Sequence, residues 1–262
     1  MPHPDTPTEK LAEKVIVACM RDEALFVVEW VAHHLVLGFD RICVASNDCR
    51  DGTDRLLHAL AVEGFIAHVP NVLKEGDIPQ HAGYDRIRAT HPIDRAEWLM
   101  MLDTDEFLNI HIGQHRVQDL TMRAGAADII AVSARSFSDL PQTHWEPGPV
   151  TRAFPMALRH HHRANQSVKT LTRDPARFRG IHNHHMVGYR GKTSLQVFCA
   201  QDASTYPLEP GTPLGDKFRH IPKEQVGYDL AQYNPYPIKT LDSYLLRRAR
   251  GRGAHSRLQQ CQ

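Results

Sequence analysis

The sequence contains few cysteines and almost no net charge, and each shortage excludes a class of protein. Its 262 residues include only five cysteines, an odd number, and no two of them have the C-x-x-C spacing of a zinc knuckle. We therefore expect neither a disulfide framework nor a structural zinc site, which fits the reduced cytoplasm. With 31 basic and 30 acidic residues, the net charge of +1 gives no basis for broad nucleic-acid binding.

Long hydrophobic runs are also missing. The longest apolar stretch, residues 24–39, is interrupted by Glu29, His33 and His34 and is too polar to span a bilayer. Residues 1–13 are rich in proline and charge, so we expect a flexible N-terminal tail without a secretory signal. The remaining chain is long enough for one α/β domain with a sizeable core.

A short apolar run that ends in acids is the most informative feature present. The run at 98–102 predicts a buried strand, and acids at its carboxyl end would lie where open α/β sheets bind ligands. In an extended segment Asp103 and Asp105 point the same way, so both could reach one hard cation and, through it, a diphosphate. The alternative is a helix cap, with Asp or Thr opening a helix at Glu106.

The N-terminal half alternates predicted strands with predicted helices. The strands are expected at 14–19, 41–46, 65–69 and 98–102, and the helices at 23–37, 53–63 and 84–97. This alternation implies βαβ units and a mostly parallel sheet. Three of the strands continue into polar segments, at 20–23, 46–53 and 103–106. We expect these three strand ends to converge on one site.

Four blocks of the chain resemble, in order, the motifs of one enzyme family. The blocks are M-R-D-E-A at 20–24 with E-W-V-A-H-H-L-V-L-G at 29–38, S-N-D-C-R-D-G-T at 46–53, W-L-M-M-L-D-T-D-E-F at 98–107, and K-T-L-D-S-Y at 239–244 with R-A-R-G at 248–251. They resemble motifs of the family 2 glycosyltransferases of the GT-A superfamily, especially a bacterial branch with an M-K-N-E-A-like loop, a D-x-D-E-F motif and a C-terminal K-S-x-E-x-F-like motif.

The resemblance implies a GT-A-like, Rossmann-like α/β fold with a mostly parallel sheet flanked by helices and an irregular C-terminal acceptor region. Residues 14–110 would form the nucleotide-sugar-binding half and residues 111–262 the acceptor-side half, in one continuous domain. The implied activity moves a sugar from a nucleotide-diphosphate sugar to a hydroxyl of a glycan or glycolipid, in bacterial glycan or polysaccharide biosynthesis. The implied cofactor is Mn²⁺ or Mg²⁺.

Two departures from the family pattern affect the acceptor side. Pro235 occupies the position of a usual histidine, and the usual F-G after the middle strand is replaced by S-F-S-D-L at 136–140. Other functions therefore stay open: a metal-dependent nucleotide-sugar or phosphate-ester hydrolase, or a degenerate nucleotide-sugar-binding module, for which Pro235 is the main motive.

The chemistry of such a transfer assigns roles to the strand-end residues. A divalent cation held by Asp103 and Asp105 would act as a Lewis acid on the leaving diphosphate. The candidate contacts to the nucleotide sugar are Arg21, Asp22, Glu23, Asn47, Asp51 and Asp103. The segment 51–53 also predicts a turn followed by a helix cap at Thr53, a role that Asp51 can combine with ligand binding.

An inverting transfer would also need a general base that deprotonates the acceptor hydroxyl. Asp139 is a candidate by position alone, and Glu146 is the other. The sequence does not choose between them.

Histidine is frequent, and two groups stand out at 160–162 and 182–185. Imidazole is a common metal ligand, but neighbours in a strand point to opposite faces, so only alternate members such as His182 and His184 could share a site. The resembling family has a basic and histidine-containing segment at the position of 169–173 and 182–185, which favours His184 as a third metal ligand or a diphosphate contact. The other interpretation is a surface or loop role.

A helix is predicted at 241–250, within the last motif of the chain. It carries arginines at 247, 248 and 250, and another arginine follows at 252. Basic residues at a helix end complement the helix dipole and are commonly solvated. The alternative is a contact with acidic lipids or an anionic glycan, which would place the protein peripherally at the inner membrane face.

Overall fold

The structure is a computed structural model that describes residues 11–138, 144–237 and 239–250. Its strands are β1 (Leu11–Met20), β2 (Arg41–Ser46), β3 (Ala67–Pro70), β4 (Ala96–Met101), β5 (Glu106–Ile110), β6 (Ile129–Ser133), β7 (Val168–Arg173), β8 (Phe178–Ile181), β9 (Met186–Tyr189), β10 (Leu195–Cys199), β11 (Thr205–Leu208) and β12 (Ala231–Pro235). Its α-helices are α1 (Ala24–Val36), α2 (Thr53–Val62), α3 (Pro79–Thr90), α4 (Val117–Ala124), α5 (Val150–Ala153), α6 (Leu214–Phe218) and α7 (Leu241–Arg250). Short 3-10 helices lie at Ile93–Arg95, Arg163–Gln166, Pro175–Arg177 and Lys223–Gln225.

An eight-stranded sheet forms the centre of the molecule, in the order β11-β10-β6-β7-β4-β1-β2-β3. Strands β3, β2, β1, β4, β6 and β10 share one direction, and β7 and β11 run against it. The expected α/β class with a mostly parallel sheet is confirmed. Because β7 is inserted between β4 and β6, its side chains lie beside the strand that carries the acids.

Both faces of the central strands are buried, which explains why β1 and β4 are almost continuously apolar. Ile16 and Trp98 belong to the core on one face, together with residues of α1 such as Trp30. Val17 and Leu99 belong to the core on the other face, together with residues of α3. The alternation follows from the two-residue period of a strand.

Helix α3 is displaced from its predicted position. It begins at Pro79 rather than at residue 84 and ends at Thr90, and β4 follows after one 3-10 turn. Proline suits the first turn of a helix because its missing N–H is not needed there, a start signal that hydrophobic periodicity overlooks. Gly83 lets the helix approach the sheet, since a Cβ there would lie 2.6 Å from Cys19 Sγ. The earlier start brings Gln80 to the sheet edge where the acids lie.

The segment after β4 is a turn, so two expectations about it are wrong. The N–H of Glu106 donates to the carbonyl of Asp103 at 3.0 Å, which closes a tight turn where an extended segment was expected. Glu106 then opens strand β5 instead of a helix. The reversal is needed because β5 leaves the main sheet and pairs antiparallel with β12.

The other helices and strands that the sequence predicted agree with the structure to within a few residues. Strand β1 starts at Leu11, three residues before the predicted boundary of the tail, and α7 has the bounds predicted for the C-terminal helix. Residues 1–10 of the predicted tail and Arg252 lie outside the described residues. Across the described ranges, no helix combines the length and apolar character that crossing a membrane requires.

Candidate functional site

Three loops meet at the carboxyl edge of the sheet, as the sequence predicted. Strands β4, β1 and β2 are parallel neighbours, so their carboxyl ends lie side by side. The loops at 20–24 and 47–53 are joined directly: the N–H of Arg50 donates to Asp22 Oδ1 at 2.6 Å, and the N–H of Ala24 donates to Asp51 Oδ2 at 2.9 Å. Open α/β sheets bind ligands at this edge.

Asp51 organises both loops through its two carboxylate oxygens. Oδ1 accepts hydrogen bonds from the N–H and the hydroxyl of Thr53 at 2.9 and 2.6 Å, and the Thr53 hydroxyl accepts one from the N–H of Glu23 at 2.7 Å. Partial burial alone would raise the pKa of Asp51, but the hydrogen bonds from Thr53 and Ala24 lower it below its usual value. The predicted turn is confirmed.

The predicted helix cap at Thr53 is wrong. Thr53 is the first residue of α2, and Gly52 is the N-cap with φ +90°, a conformation that favours glycine. Asp22 and Asp48 also have positive φ, of 55° and 50°, which aspartate tolerates better than most residues. These backbone conformations allow two short loops to fold over the strand ends.

The acidic turn at 103–106 is built around a buried lysine. Lys169 Nζ lies 2.8 Å from Glu106 Oε2, 3.4 Å from Asp103 Oδ2 and 2.7 Å from the carbonyl of Asn183, and its side chain has 0% exposure. Asp103 Oδ1 accepts a hydrogen bond from Gln80 Nε2 at 2.9 Å, and its side chain remains 35% exposed. Asp103 is therefore held from two sides and still reaches the surface of the edge.

The charges in this cluster perturb one another. Burial is the main cause that raises the pKa of Glu106, and Asp103 and Asp105 add to it while Lys169 opposes it. For Lys169, burial alone would lower the pKa, but Asp103 and Glu106 outweigh burial and raise it. Lys169 therefore carries a permanent positive charge next to the acids. Sequence reasoning had noted Lys169 only as part of a basic strand.

Helix α1 fixes the exit of the acidic turn. Trp30 Nε1 donates to the carbonyl of Glu106 at 2.9 Å, and the N–H of Leu108 lies 3.4 Å from His34 Nε2. His34 Nδ1 lies 2.8 Å from the carbonyl of Trp30, so the ring donates from Nδ1 and accepts at Nε2. These contacts give the E-W-V-A-H-H pattern a structural role that the sequence alone did not assign.

Glu29, the first residue of that pattern, holds a segment of the half that is predicted to bind the acceptor. Its carboxylate accepts hydrogen bonds from the N–H groups of Val150 and Thr151 at 2.6 and 3.0 Å, and from the Thr151 hydroxyl at 2.7 Å. Unpaired N–H groups at the start of a helix are satisfied in this way. One helix thus supports both the acidic turn and α5.

His184 lies in the turn between β8 and β9, not in a strand as assumed. The N–H of Thr170 donates to its carbonyl at 3.0 Å, and its Nδ1 lies 3.0 Å from the carbonyl of Val168, so the turn packs on β7 beside Lys169. Burial, reinforced by Lys169, lowers the pKa of His184 to about 3, so the ring is neutral near pH 7.

The predicted metal ligands are not gathered into a closed protein site. Throughout the part of the chain that the structure describes, no three His, Cys, Asp or Glu side chains are grouped to hold a metal ion. The metal role of Asp103, Asp105 and His184 stays a prediction. Hard cations such as Mg²⁺ are often bound by one or two carboxylates together with substrate phosphates, and the partly exposed Asp103 fits that mode.

The other histidine group, at 160–162, lies in an exposed loop. His160 Nε2 lies 2.8 Å from the carbonyl of Val226, and His161 Nδ1 lies 3.2 Å from the carbonyl of Lys223. His162 accepts a hydrogen bond from the N–H of Ala164 at 3.2 Å. All three therefore bind backbone groups of loops.

The acceptor side is less complete. Asp139 lies outside the described residues, and Glu146 is exposed on the segment before α5, so the role of each as general base stays a prediction. The N–H of Tyr236 donates to the carbonyl of Asp105 at 2.8 Å, and its ring stacks on Phe137 with centroids 5.0 Å apart. Pro235 pairs with Glu106 across β12 and β5. The departure from the family pattern is thus adjacent to the acidic turn.

Comparison with known proteins gives weak but consistent similarity. No protein-family model matches the chain. A glycosyltransferase family 92 protein of Ricinus communis is 24% identical over 190 residues, which are 71% of this chain and 34% of the relative. Another from Oryza sativa subsp. japonica is 23% identical over 174 residues, which are 65% of this chain and 29% of the relative. The chain spans about a third of the length of these curated relatives.

Solved structures of S. aureus TarS are also similar over part of the chain. Residues 1–349 of TarS in complex with UDP-GlcNAc give a TM-score of 0.40 with 10% identity, covering 62% of this chain and 45% of that chain. A longer TarS chain gives 0.39 with 11% identity, covering 62% of this chain and 28% of that chain. Similarities at this level support no conclusion about the fold or the site.

Proposed function

We propose that this chain binds a nucleotide-diphosphate sugar at the carboxyl edge of β4, β1 and β2 and transfers the sugar to a hydroxyl acceptor. The observation that carries the proposal is that three loops follow neighbouring strand ends at one edge, two of them joined by hydrogen bonds, with the carboxylate of Asp103 held in place and partly exposed. The similarity to two glycosyltransferase family 92 proteins supports the class of activity. Assignment to family 2 rests on the sequence motifs alone.

The loops at 20–24 and 47–53 would hold the base and ribose. Their polar side chains, among them Arg21, Asp22, Glu23, Asn47 and Asp51, lie on or beside the segments that the hydrogen bonds of Asp22 and Asp51 tie together. A carboxylate oxygen can accept more than one hydrogen bond, so Asp51 can hold the loops and still accept from a ribose hydroxyl.

Asp103 and Asp105 would hold Mn²⁺ or Mg²⁺ together with the diphosphate. When bound, this cation would neutralise charge that develops on the departing diphosphate. The chain's own part is to fix the acids: Gln80 and Lys169 hold the carboxylate of Asp103, and the N–H of Tyr236 holds the carbonyl of Asp105. His184, neutral and beside Lys169, would be a diphosphate contact or a third ligand.

The acceptor would be a hydroxyl of a glycan or glycolipid, deprotonated by Asp139 or Glu146. The pathway would be bacterial glycan biosynthesis.

Helix α7 supports a peripheral membrane contact because Leu241, Tyr244 and Leu245 are exposed near an arginine-rich end. Co-sedimentation with anionic phosphatidylglycerol vesicles tests this contact. Leu241→Glu should reduce co-sedimentation, and an unchanged bound fraction would contradict it.

The decisive experiment titrates the protein with UDP, GDP, CDP and ADP, with and without Mn²⁺, and then supplies the matching sugar donors with hydroxyl acceptors. Metal-enhanced binding of one diphosphate and transfer to an acceptor would support the proposal. Metal-dependent release of the sugar to water, with no dependence on an acceptor, would favour the hydrolase.

Two further outcomes are informative. Binding without turnover across the whole panel would favour the degenerate binding module, an alternative that is based mainly on Pro235 at the position of the family's usual histidine. Absence of binding by every diphosphate would contradict donor recognition at this edge.

Asp103→Asn is the matched variant for the wild-type protein in this titration, because it removes charge while it conserves the shape of a side chain that contacts Gln80 and Lys169.

A further inference from the structure

Lys169 occupies a position that its sequence context does not suggest. It lies on β7, the antiparallel strand inserted beside β4, and its side chain is fully buried although lysine is rarely so. Its three nearest oxygens belong to Glu106, Asp103 and Asn183, at 2.8, 3.4 and 2.7 Å. An ammonium has three N–H donors, so these contacts use all of them. Lys169 is therefore not placed to contact a ligand itself.

The charge of Lys169 must then act through the acids. The acidic turn contributes the carboxyl groups of Asp103, Asp105 and Glu106, and the ammonium of Lys169 offsets part of the negative charge that they carry. Solvent and salt screen a buried charge much less than an exposed one, so this ammonium repels any cation that approaches Asp103. It also lies 3.4 Å from Asp103 Oδ2, one of the two oxygens that such a cation could use.

We propose that Lys169 is a positioning residue that keeps the affinity of the acidic turn for a free divalent cation low, so that the cation is held firmly only together with a nucleoside diphosphate. The dependence on a nucleoside diphosphate rests on the proposed function. The low affinity for a free cation concerns the acidic turn alone and can be tested with Mn²⁺ without any nucleotide.

A purely structural role for Lys169 gives a different expectation. If Lys169 served only to neutralise Glu106 and hold β7 against the turn, its loss would damage the fold and reduce Mn²⁺ binding. If its charge sets cation affinity, its loss should make Mn²⁺ binding tighter. The two roles therefore predict opposite signs.

The test is a titration of the full chain with Mn²⁺ alone, followed by electron paramagnetic resonance, on wild type and three variants. Lys169→Met removes the ammonium, Glu106→Gln removes an acid whose pKa burial raises to about 8 and which therefore carries little charge near pH 7, and the double variant removes both. We expect Lys169→Met to bind Mn²⁺ about tenfold or more tighter than wild type, and Glu106→Gln to bind within about threefold of wild type. The double variant should bind about tenfold or more tighter than Glu106→Gln, because these two variants differ only in the ammonium.

Equal Mn²⁺ affinity of wild type and a folded Lys169→Met variant would overturn the proposal. Circular dichroism checks that each variant is folded. If Lys169→Met does not fold, Glu106→Gln and the double variant still decide, because they differ only in the ammonium of Lys169 and equal Mn²⁺ affinities of the two would contradict control by its charge.

A second titration, in saturating UDP or whichever diphosphate binds, tests the coupling. Wild type should gain about tenfold or more in Mn²⁺ affinity from the diphosphate, and Lys169→Met should gain less because its turn already binds the free cation. An equal gain in both would reject the coupling. If no diphosphate binds, the proposed function fails, while the order of Mn²⁺ affinities still tests Lys169.

Discussion

Two groups of acids lie at the same sheet edge but are held in different ways. Asp22 and Asp51 accept hydrogen bonds from backbone N–H groups of the loops they organise. Asp103 and Glu106 are instead balanced by one buried side chain, Lys169, which comes from a strand distant in sequence.

The difference determines how each group can be altered. The first group is held by several hydrogen bonds from backbone N–H groups. These donors stay in place when a side chain elsewhere in the loop is exchanged. In the second group, substitution of Lys169 removes the only positively charged group that contacts Asp103 and Glu106 among the described residues. We expect the acidic turn to be the more sensitive of the two in both stability and ligand binding.

The largest effect should come from Lys169→Met. It leaves Asp103 and Glu106 without their cation, and breaking a buried ion pair costs about 3–5 kcal/mol of unfolding free energy. Urea unfolding at pH 7 measures the loss. Lys169→Met combined with Glu106→Gln should recover at least half of it, and a loss below about 1 kcal/mol in the single variant would show that the pair is not a stability element.

Asp105→Ala should remove the metal-dependent part of nucleoside diphosphate binding. Loss of a carboxylate ligand is expected to weaken that binding about a hundredfold, roughly 2.7 kcal/mol, while metal-free binding stays unchanged. Calorimetry with and without Mn²⁺ separates the two parts. An unchanged metal enhancement in a folded variant would remove Asp105 from the site.

Asp51→Ala should weaken donor binding less, by about 1.5 kcal/mol, the lower end for a hydrogen bond to a charged group, because Asp51 is shared with the loops. It should also lower stability, since the bonds to Ala24 and Thr53 are lost. Asp51→Asn is the control, because it keeps one oxygen acceptor. If calorimetry shows full nucleotide affinity in Asp51→Ala, its role is confined to the turn.

The smallest effect is a pH dependence at His34, which supports the exit of the acidic turn. Burial, followed by His33, lowers the pKa of His34 well below 6.5. The folded pKa lies below the unfolded one, so stability is full above about pH 6.5 and falls as the pH drops further.

Unfolding free energies of wild type and His34→Gln between pH 7.5 and 5.5 measure this dependence. Between pH 7.5 and 5.5 the unfolding free energy of wild type should fall by about 1 kcal/mol more than that of His34→Gln, because the variant lacks the buried imidazole that must stay neutral in the folded state. Parallel pH profiles for the two proteins would contradict the assignment. Histidines distant from His34 contribute equally to both profiles, so the difference reports His34 together with its effect on His33.

Local patterns predicted the N-terminal half of the fold well. The alternation of strands and helices, the parallel edge and the convergence of three loops all follow from residues near one another in sequence. One error was local, since Pro79 moved the start of α3; the other was not, since the segment at 103–106 turns back where β5 pairs with the distant strand β12. The roles of Asp139 and Glu146 stay predictions, because Asp139 lies outside the described residues and Glu146 is exposed on the segment before α5.

The sequence by itself determined that acids follow a buried strand, because a run of apolar residues ending in carboxylates has few other solutions in a parallel sheet. Only the tertiary structure decided what balances those acids. Lys169 lies 66 residues beyond Asp103 in the chain and reaches it because β7 enters the sheet antiparallel beside β4. Strand order joins residues far apart in sequence, and a lysine in a strand has the same local pattern whether it faces solvent or a buried carboxylate.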